Sequence, residues 1–226
     1  MHEIVSIYLT HVRRTHAAYG YERDFHALAR HLRIIVHPGP WNSAVSGPPP
    51  RITIAYEEYG SRRRFTSYHE LAHILMQQIG IEDALVDYHG TYEEAEWDVE
   101  ALCNLGASLL LMPDPMVEEA LRLYGATPRA LQHLREQAHA SYSAALRRLV
   151  HHDPNASRAG FIATGRRVMD IARNHFALPF RTYDRLPDVF PSLSAEAGLV
   201  RVNVEETEAN LLVIPGSRKC IGMFAT

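Results

Sequence analysis

The sequence predicts a mixed α+β fold, mainly helical, with a small sheet in the first half and a strand-rich tail. Three observations carry that reading. Apolar residues recur at helical spacing in capped segments up to about residue 155. Two short β-branched runs, RIIVH (33–37) and RITIAY (51–56), interrupt them. Beyond about residue 156 the period shortens toward that of strands.

Residues 1–32 read as helix. Ile4, Ile7, Tyr8, His11 and Val12 fall at helical spacing, and a second piece, ERDFHALARHL, follows Gly20-Tyr21. PGPWNSAVSGPPP (38–50) reads as a loop between the two strand runs, on its proline and glycine punctuation. The segment FTSYHELAHILMQQIG (65–80) predicts a helix, with Thr66 or Ser67 as its cap and Gly80 as its stop. IEDALVDYHGTYEE (81–94) reads as a polar connection. A long helix then begins near Glu93 and stops at Pro113. Its apolar face includes Val99, Leu102, Cys103, Gly106, Leu109 and Leu110, and the small residues Gly106, Ala107 and Ser108 let a neighbouring helix approach closely.

A short helix, DPMVEEALRLYG, opens on Asp114-Pro115 and ends at Gly125. From Thr127 two short helices flank a tight turn at Ala140-Ser141, which is the outline of a helix-turn-helix, and Asp153-Pro154 stops the second. The tail predicts strands at 159–164, 199–205, 210–215 and 220–225, with a helix, GRRVMDIARNHF (165–176), among them. The expected division is 1–125, then 126–155, then an α+β domain at 156–226.

Composition is that of a globular protein, 46% hydrophobic and 22% charged. A net charge of -3 gives no whole-chain attraction to nucleic acid or an anionic membrane. Cys103 and Cys220 are too far apart for a metal knuckle or a disulfide framework, which suits a reducing compartment. The N-terminal apolar stretch is too interrupted for a signal peptide, and no run of about 18 apolar residues occurs. A cytoplasmic protein with no membrane partner is expected.

The chemistry is concentrated in RRFTSYHELAHILM (63–76). Residues four apart on a helix lie about 40° from each other around the axis, so His69 and His73 share one face. Two imidazoles so placed can grip one ion. Glu70, beside them, can take a proton from an activated water. Two plainer explanations compete. Ser67-x-x-Glu70 also fits a capping box, and the histidines could be satisfied in a core. Against both, Leu71, Ala72, Ile74, Leu75 and Met76 surround the three, and ionisable groups are costly to bury without a use. A catalytic zinc takes three protein ligands. Candidates for the third are His89, Glu93, Glu94, Glu96, Asp98 and Glu100. Glu100, beside Val99 and Leu102, is the acid whose expected burial most needs explaining, although an arginine at 62, 63 or 64 would also partner it. Tyr88, His89 and Tyr92 are candidates for steadying a developing oxyanion.

These residues resemble the ImmA/IrrE family of metallopeptidases. The shared pattern falls on Arg63/Arg64-Phe65-Thr66, His69 to His73, Glu100, Asn104 and Leu110-Leu111-Met112-Pro113, within residues 50–113. The resemblance implies a gluzincin-like site with His69, His73 and Glu100 as metal ligands and Glu70 as general base. Zn2+ is the implied ion, with Mn2+ as the alternative. It further implies a GAF-like tail, and as substrate a transcriptional repressor of the XRE/Cro type, cleaved to release stress or DNA-damage response genes. Tyr68 departs from the family, where Ala often precedes the motif, and bears on the floor of the cleft. The competing reading is a DNA- or repressor-binding regulator without proteolysis, using Thr127 to His152 with Arg147 and Arg148 on phosphate. The acidic balance, including Glu118 and Glu119, opposes it.

Overall fold

The structure is a computed structural model that describes residues 2–188, 199–204, 207–214 and 216–225. The chain divides into two compact units, Met1–Pro113 and Asp114–Thr226. Both mix helix and sheet, so the fold is α+β.

The first unit contains α1 (His2–Ala18), α2 (Phe25–His31), β1 (Ile35–Gly39), β2 (Ser43–Val45), β3 (Arg51–Ala55), α3 (Gly60–Gln78), α4 (Ile81–His89) and α5 (Tyr92–Leu111). Its sheet has the order β1-β3-β2. β1 runs parallel to β3 with Val36 opposite Ile52, and β2 runs antiparallel to it. Alternation places Ile52 and Ile54 on the buried face of β3, which packs with β2 against α3. α5, α4 and α1 pack on α3 as well. The core between these elements is Tyr8, Val12, Leu71, Leu75, Val99, Leu102 and Cys103. Two segments expected to be irregular are regular. Val45 lies on β2, within the expected loop, because Asn42 Oδ1 accepts from Ala55 N and holds the chain against β3. Residues 81–89 form α4, which buries Ile81 and Leu85 one helical turn apart.

The second unit contains α6 (Asp114–Tyr124), α7 (Pro128–Ala138), α8 (Tyr142–Val150), β4 (Arg158–Thr164), β5 (Arg167–Asn174), β6 (Leu199–Val204), β7 (Thr207–Val213) and β8 (Lys219–Ala225). The five strands form an antiparallel sheet in the order β5-β4-β8-β7-β6. α7 and α8 pack on one face. A Cβ on Gly160 would meet Met223 and Leu146, so α8 sits close over β4 there. The other face carries Phe161, Val168, Leu211 and Phe224, covered by Phe180 and Leu186. With both faces covered, β4 and β8 read in sequence as continuous apolar runs.

The expected helix at 165–176 is a strand. Gly165, at φ +58, turns the chain from β4 into β5. The register between them shifts at a bulge, with Ala163 opposite Val168 but Ile162 opposite Asp170. Met169 is the extra residue. Val168 and Ile171, three apart, therefore face the same core, and their spacing imitates a helix. The expected strands at 159–164, 199–205, 210–215 and 220–225 agree with β4, β6, β7 and β8; residues 205 and 215 lie outside the described residues.

Candidate metal centre

The site is built on α3 and α5. α3 starts at Gly60, seven residues ahead of Ser67, so neither Thr66 nor Ser67 caps it. The Ser67 hydroxyl instead donates to the carbonyl of Arg63 within the helix, at 2.9 Å. The capping-box explanation of Glu70 is removed by that register. Tyr68 does not form the floor of a cleft. It is 1% exposed, stands edge-on to Phe25, and its hydroxyl donates to Arg23 O at 3.0 Å. Gly80, at φ +68, follows the last turn as expected.

His69 and His73 lie one turn apart with their Nε2 atoms 3.1 Å from each other. Glu100 reaches them from α5. Its Oε2 is 3.2 Å from His69 Nε2, and its Oε1 is 3.3 Å from His73 Nε2. Among the described residues these three form a group that could hold a metal ion. The donor set fits one. Two imidazole nitrogens this close satisfy each other only if one carries a proton, whereas a divalent cation satisfies both and the carboxylate balances its charge. The spacing fits as well. Ligand bonds of about 2.0–2.1 Å in a tetrahedron place donors roughly 3.3 Å apart.

Electrostatics follow from the partial burial of these groups. Glu70 is 7% exposed. Burial, and secondarily the charge of Glu100, push its carboxyl up to about 7. His73 is held below the usual histidine range, first by burial and then by His69, with Glu100 opposing. Glu100 itself is half-exposed, so burial was not what distinguished it from the other acids. Among the described residues Glu100 makes ion pairs with His69 and His73 and with none of Arg62, Arg63 and Arg64: Arg62 pairs with Glu58, and Arg64 donates to Arg23 O.

Behind the ligating face, α1 locks the two helices together. The buried Tyr8 hydroxyl donates to the carbonyl of Ala72, the residue before His73, at 3.1 Å. A Cβ on Gly106 would collide with that hydroxyl and press on Ala72 Cβ at 3.1 Å. The glycine is therefore what lets α5 approach α3. Cys103 lies in the same buried contact, where burial raises both its thiol and the Tyr8 hydroxyl well above their usual ranges. Sequence reading found the small residues on α5 but missed Tyr8, whose only signal was its place on the apolar face of α1.

The other candidates have plainer roles. His89 Nε2 and Asp98 Oδ2 pair with each other at 2.8 Å. Glu94 completes the N-terminal cap of α5, where Thr91 Oγ1 accepts from its backbone N–H. Glu93, Glu96, Tyr88 and Tyr92 are exposed. In the second unit, Arg147 makes two hydrogen bonds to Asp170, at 2.8 and 2.7 Å. Arg148 is 6% exposed and pairs with Asp114. Both arginines expected to reach phosphate are thus engaged by carboxylates of the chain itself.

A family model described as the IrrE N-terminal-like domain, Peptidase_M78, matches residues 31–150, just over half of the chain. The chain belongs to this family. Within it, the chain is similar to two proteins named radiation response metalloprotease IrrE. It is 41% identical to that of Deinococcus radiodurans over 95 residues and 42% identical to that of Deinococcus deserti over 87. These stretches cover 41% and 38% of this chain but 28% and 30% of those proteins, so the chain spans under a third of the curated relatives it matches. A solved structure described as a Mycobacterium tuberculosis transcriptional regulator matches all of this chain and 76% of its own, with a TM-score of 0.61 at 12% identity. That is a likeness of fold. The matched span of the peptidase M78 model takes in α3 and α5, and with them every residue of the three-donor cluster.

Proposed function

We propose that the chain is a metal-dependent endopeptidase with a gluzincin-like centre, in which His69, His73 and Glu100 hold a divalent ion and Glu70 is the general base. One observation carries the reading: two imidazoles and a carboxylate converge at 3.1–3.3 Å, next in sequence to a buried carboxyl with no capping role. The naming of the Deinococcus relatives as metalloproteases supports it. Zinc suits the donor set, and manganese accepts the same ligands.

A bound divalent ion supplies Lewis acidity, polarising the scissile carbonyl and acidifying water. The chain's own residues do the rest. The Glu70 carboxylate takes the proton of the attacking water and passes it to the leaving amine nitrogen. Burial and the nearby charge of Glu100 raise the Glu70 carboxyl to about 7, which suits a group that must both take and return a proton near neutral pH. The rigid α3–α5 pair, held by Tyr8 and Gly106, keeps the three donors in register.

The substrate reading is a transcriptional repressor of the XRE/Cro type, whose cleavage releases stress or DNA-damage response genes. The radiation-response names of the relatives support it. The five-stranded antiparallel sheet with α7 and α8 on one face supports reading the tail as GAF-like. Purified protein, loaded with zinc or manganese and mixed with a candidate repressor, should cleave it at a defined position seen by mass spectrometry. Cleavage that persists undiminished in Glu70→Gln would sink the mechanism.

A further inference from the structure

The tip of the β4–β5 hairpin carries a cationic cluster that the metal centre does not use. β5 is an edge strand of its sheet. The segment that follows folds back along it: Tyr183 N donates to Val168 O at 2.8 Å, Val168 N to Asp184 O at 3.0 Å, and Leu186 N to Arg166 O at 2.8 Å. This pairing sets Arg167 directly opposite Arg185 as an antiparallel bridge. Like charges facing each other across strands are destabilising. Among the described residues neither arginine has an ion-pair partner within 4.0 Å. The nearby acids are engaged elsewhere. Asp188 pairs with Arg166, and the Asp184 side chain accepts from Arg181 N. Arg218 lies at the same tip, where its carbonyl accepts from Gly165 N.

A groove of about 310 Å³ opens here, lined by Thr164, Arg166, Arg167, Tyr183 and Arg185. Arg166 braces its wall, donating to the carbonyls of Leu186 and Pro187. Tyr183 has φ +75, a left-handed conformation that is costly for a bulky residue, and it is 66% exposed. The fold thus holds an aromatic ring in the open beside two arginines that are in register across the strand pair and line the same groove. Guanidinium forks match phosphate oxygens, and an exposed ring offers a face on which a base can stack. We propose that this groove binds a nucleotide, free or within a single strand, with its phosphate on Arg167 and Arg185 and its base on Tyr183. The helix pair α7–α8 plays no part in it.

The test uses the full chain and a short fluorescein-labelled single-stranded oligonucleotide, read by anisotropy across a salt series, with unlabelled ATP and polyglutamate as competitors. Expected is binding that weakens as salt rises, as phosphate contacts require. Arg167→Ala/Arg185→Ala should weaken it at least about tenfold and flatten the salt slope by roughly one unit per lost contact. Tyr183→Ala should weaken it several-fold with the slope unchanged. Arg201→Ala, which removes an exposed arginine paired with Glu208 elsewhere in the sheet, should leave binding as in the wild type. Melting temperatures of all variants check that the fold is retained. Displacement by ATP identifies the free nucleotide as the source of the phosphate, and binding of the strand that ATP leaves intact identifies nucleic acid; both support the proposal. Failure of both probes to bind overturns it, and so does an unchanged affinity in the double variant. Competition by polyglutamate equal to that by ATP, together with indifference to Tyr183→Ala, also overturns it and assigns the groove to an acidic peptide.

Discussion

At the scale of single residues, Glu70 and His16 are both buried ionisable groups, and their surroundings use them differently. Glu70 lies beside donors suited to a cation. In the proposed mechanism it moves a proton, so Glu70→Gln should lower cleavage by about 10²–10⁴-fold. Metal content by mass spectrometry should match the wild type, because Glu70 is not among the three donors. A parallel loss of metal would assign Glu70 a ligand role instead. His16 has no such use. Its Nε2 donates to Glu22 O at 2.9 Å, and its Nδ1 is buried without a partner among the described residues. Burial holds its pKa below the usual 6.5. The sign follows: as pH falls through about 6.5 the unfolded chain gains a proton that the folded chain refuses, so stability is full above that pH and is lost toward the folded pKa. His11, His73 and His151 are shifted in the same direction. The melting temperature should therefore drop between neutral pH and about pH 5, and less steeply in His16→Gln. Equal slopes in the two proteins would count against His16.

At the scale of elements, the α3–α5 contact depends on a residue without a side chain. Gly106→Ala inserts a methyl group against Tyr8 and Ala72. Overpacking of this kind costs about 1–3 kcal/mol, to be read as a lower urea midpoint. A midpoint equal to the wild type's would show that α5 can shift without loss. Sequence was a good guide to α3 and α5 because each carries a long apolar periodicity with a clear stop, Gly80 and Pro113. It misplaced the start of α3, since Thr66 and Ser67 look like caps whether or not another turn precedes them. It misread β5 because a bulge at Met169 gives Val168 and Ile171 a spacing that strands normally lack. It overlooked β2, which pairs with β3 across the short connection 46–50, whose proline and glycine punctuation masks the three strand residues before it. In both strand cases the pairing with the adjacent strand, not the periodicity along the chain, sets the structure.

At the scale of the whole molecule, the proposed centre links metal to stability. An ion that binds only the folded chain stabilises it by about 2.7 kcal/mol at a hundredfold excess over Kd. Added zinc should raise the melting temperature and a chelator should lower it. His73→Ala and Glu100→Ala should each abolish the rise, in step with their metal content. Equal occupancy in the wild type and both variants would refute the ligand assignment.

The spacing of His69, Glu70 and His73 was determined by sequence alone, because a helix converts residues four apart into one face wherever it is folded. The family followed from the same short pattern and is shown by the match over residues 31–150. Which acid completes the cluster was a different kind of question. Six residues could have supplied the third donor, and Glu100 is distinguished by neither periodicity nor burial. The packing of α5 on α3 decided it, through Gly106 and Tyr8, and the same packing left His89 with Asp98. The opposed pair Arg167 and Arg185 was likewise invisible until the chain folded back along an edge strand. Local periodicity is set by the backbone within a single element, whereas convergence of side chains from different elements exists only once those elements pack.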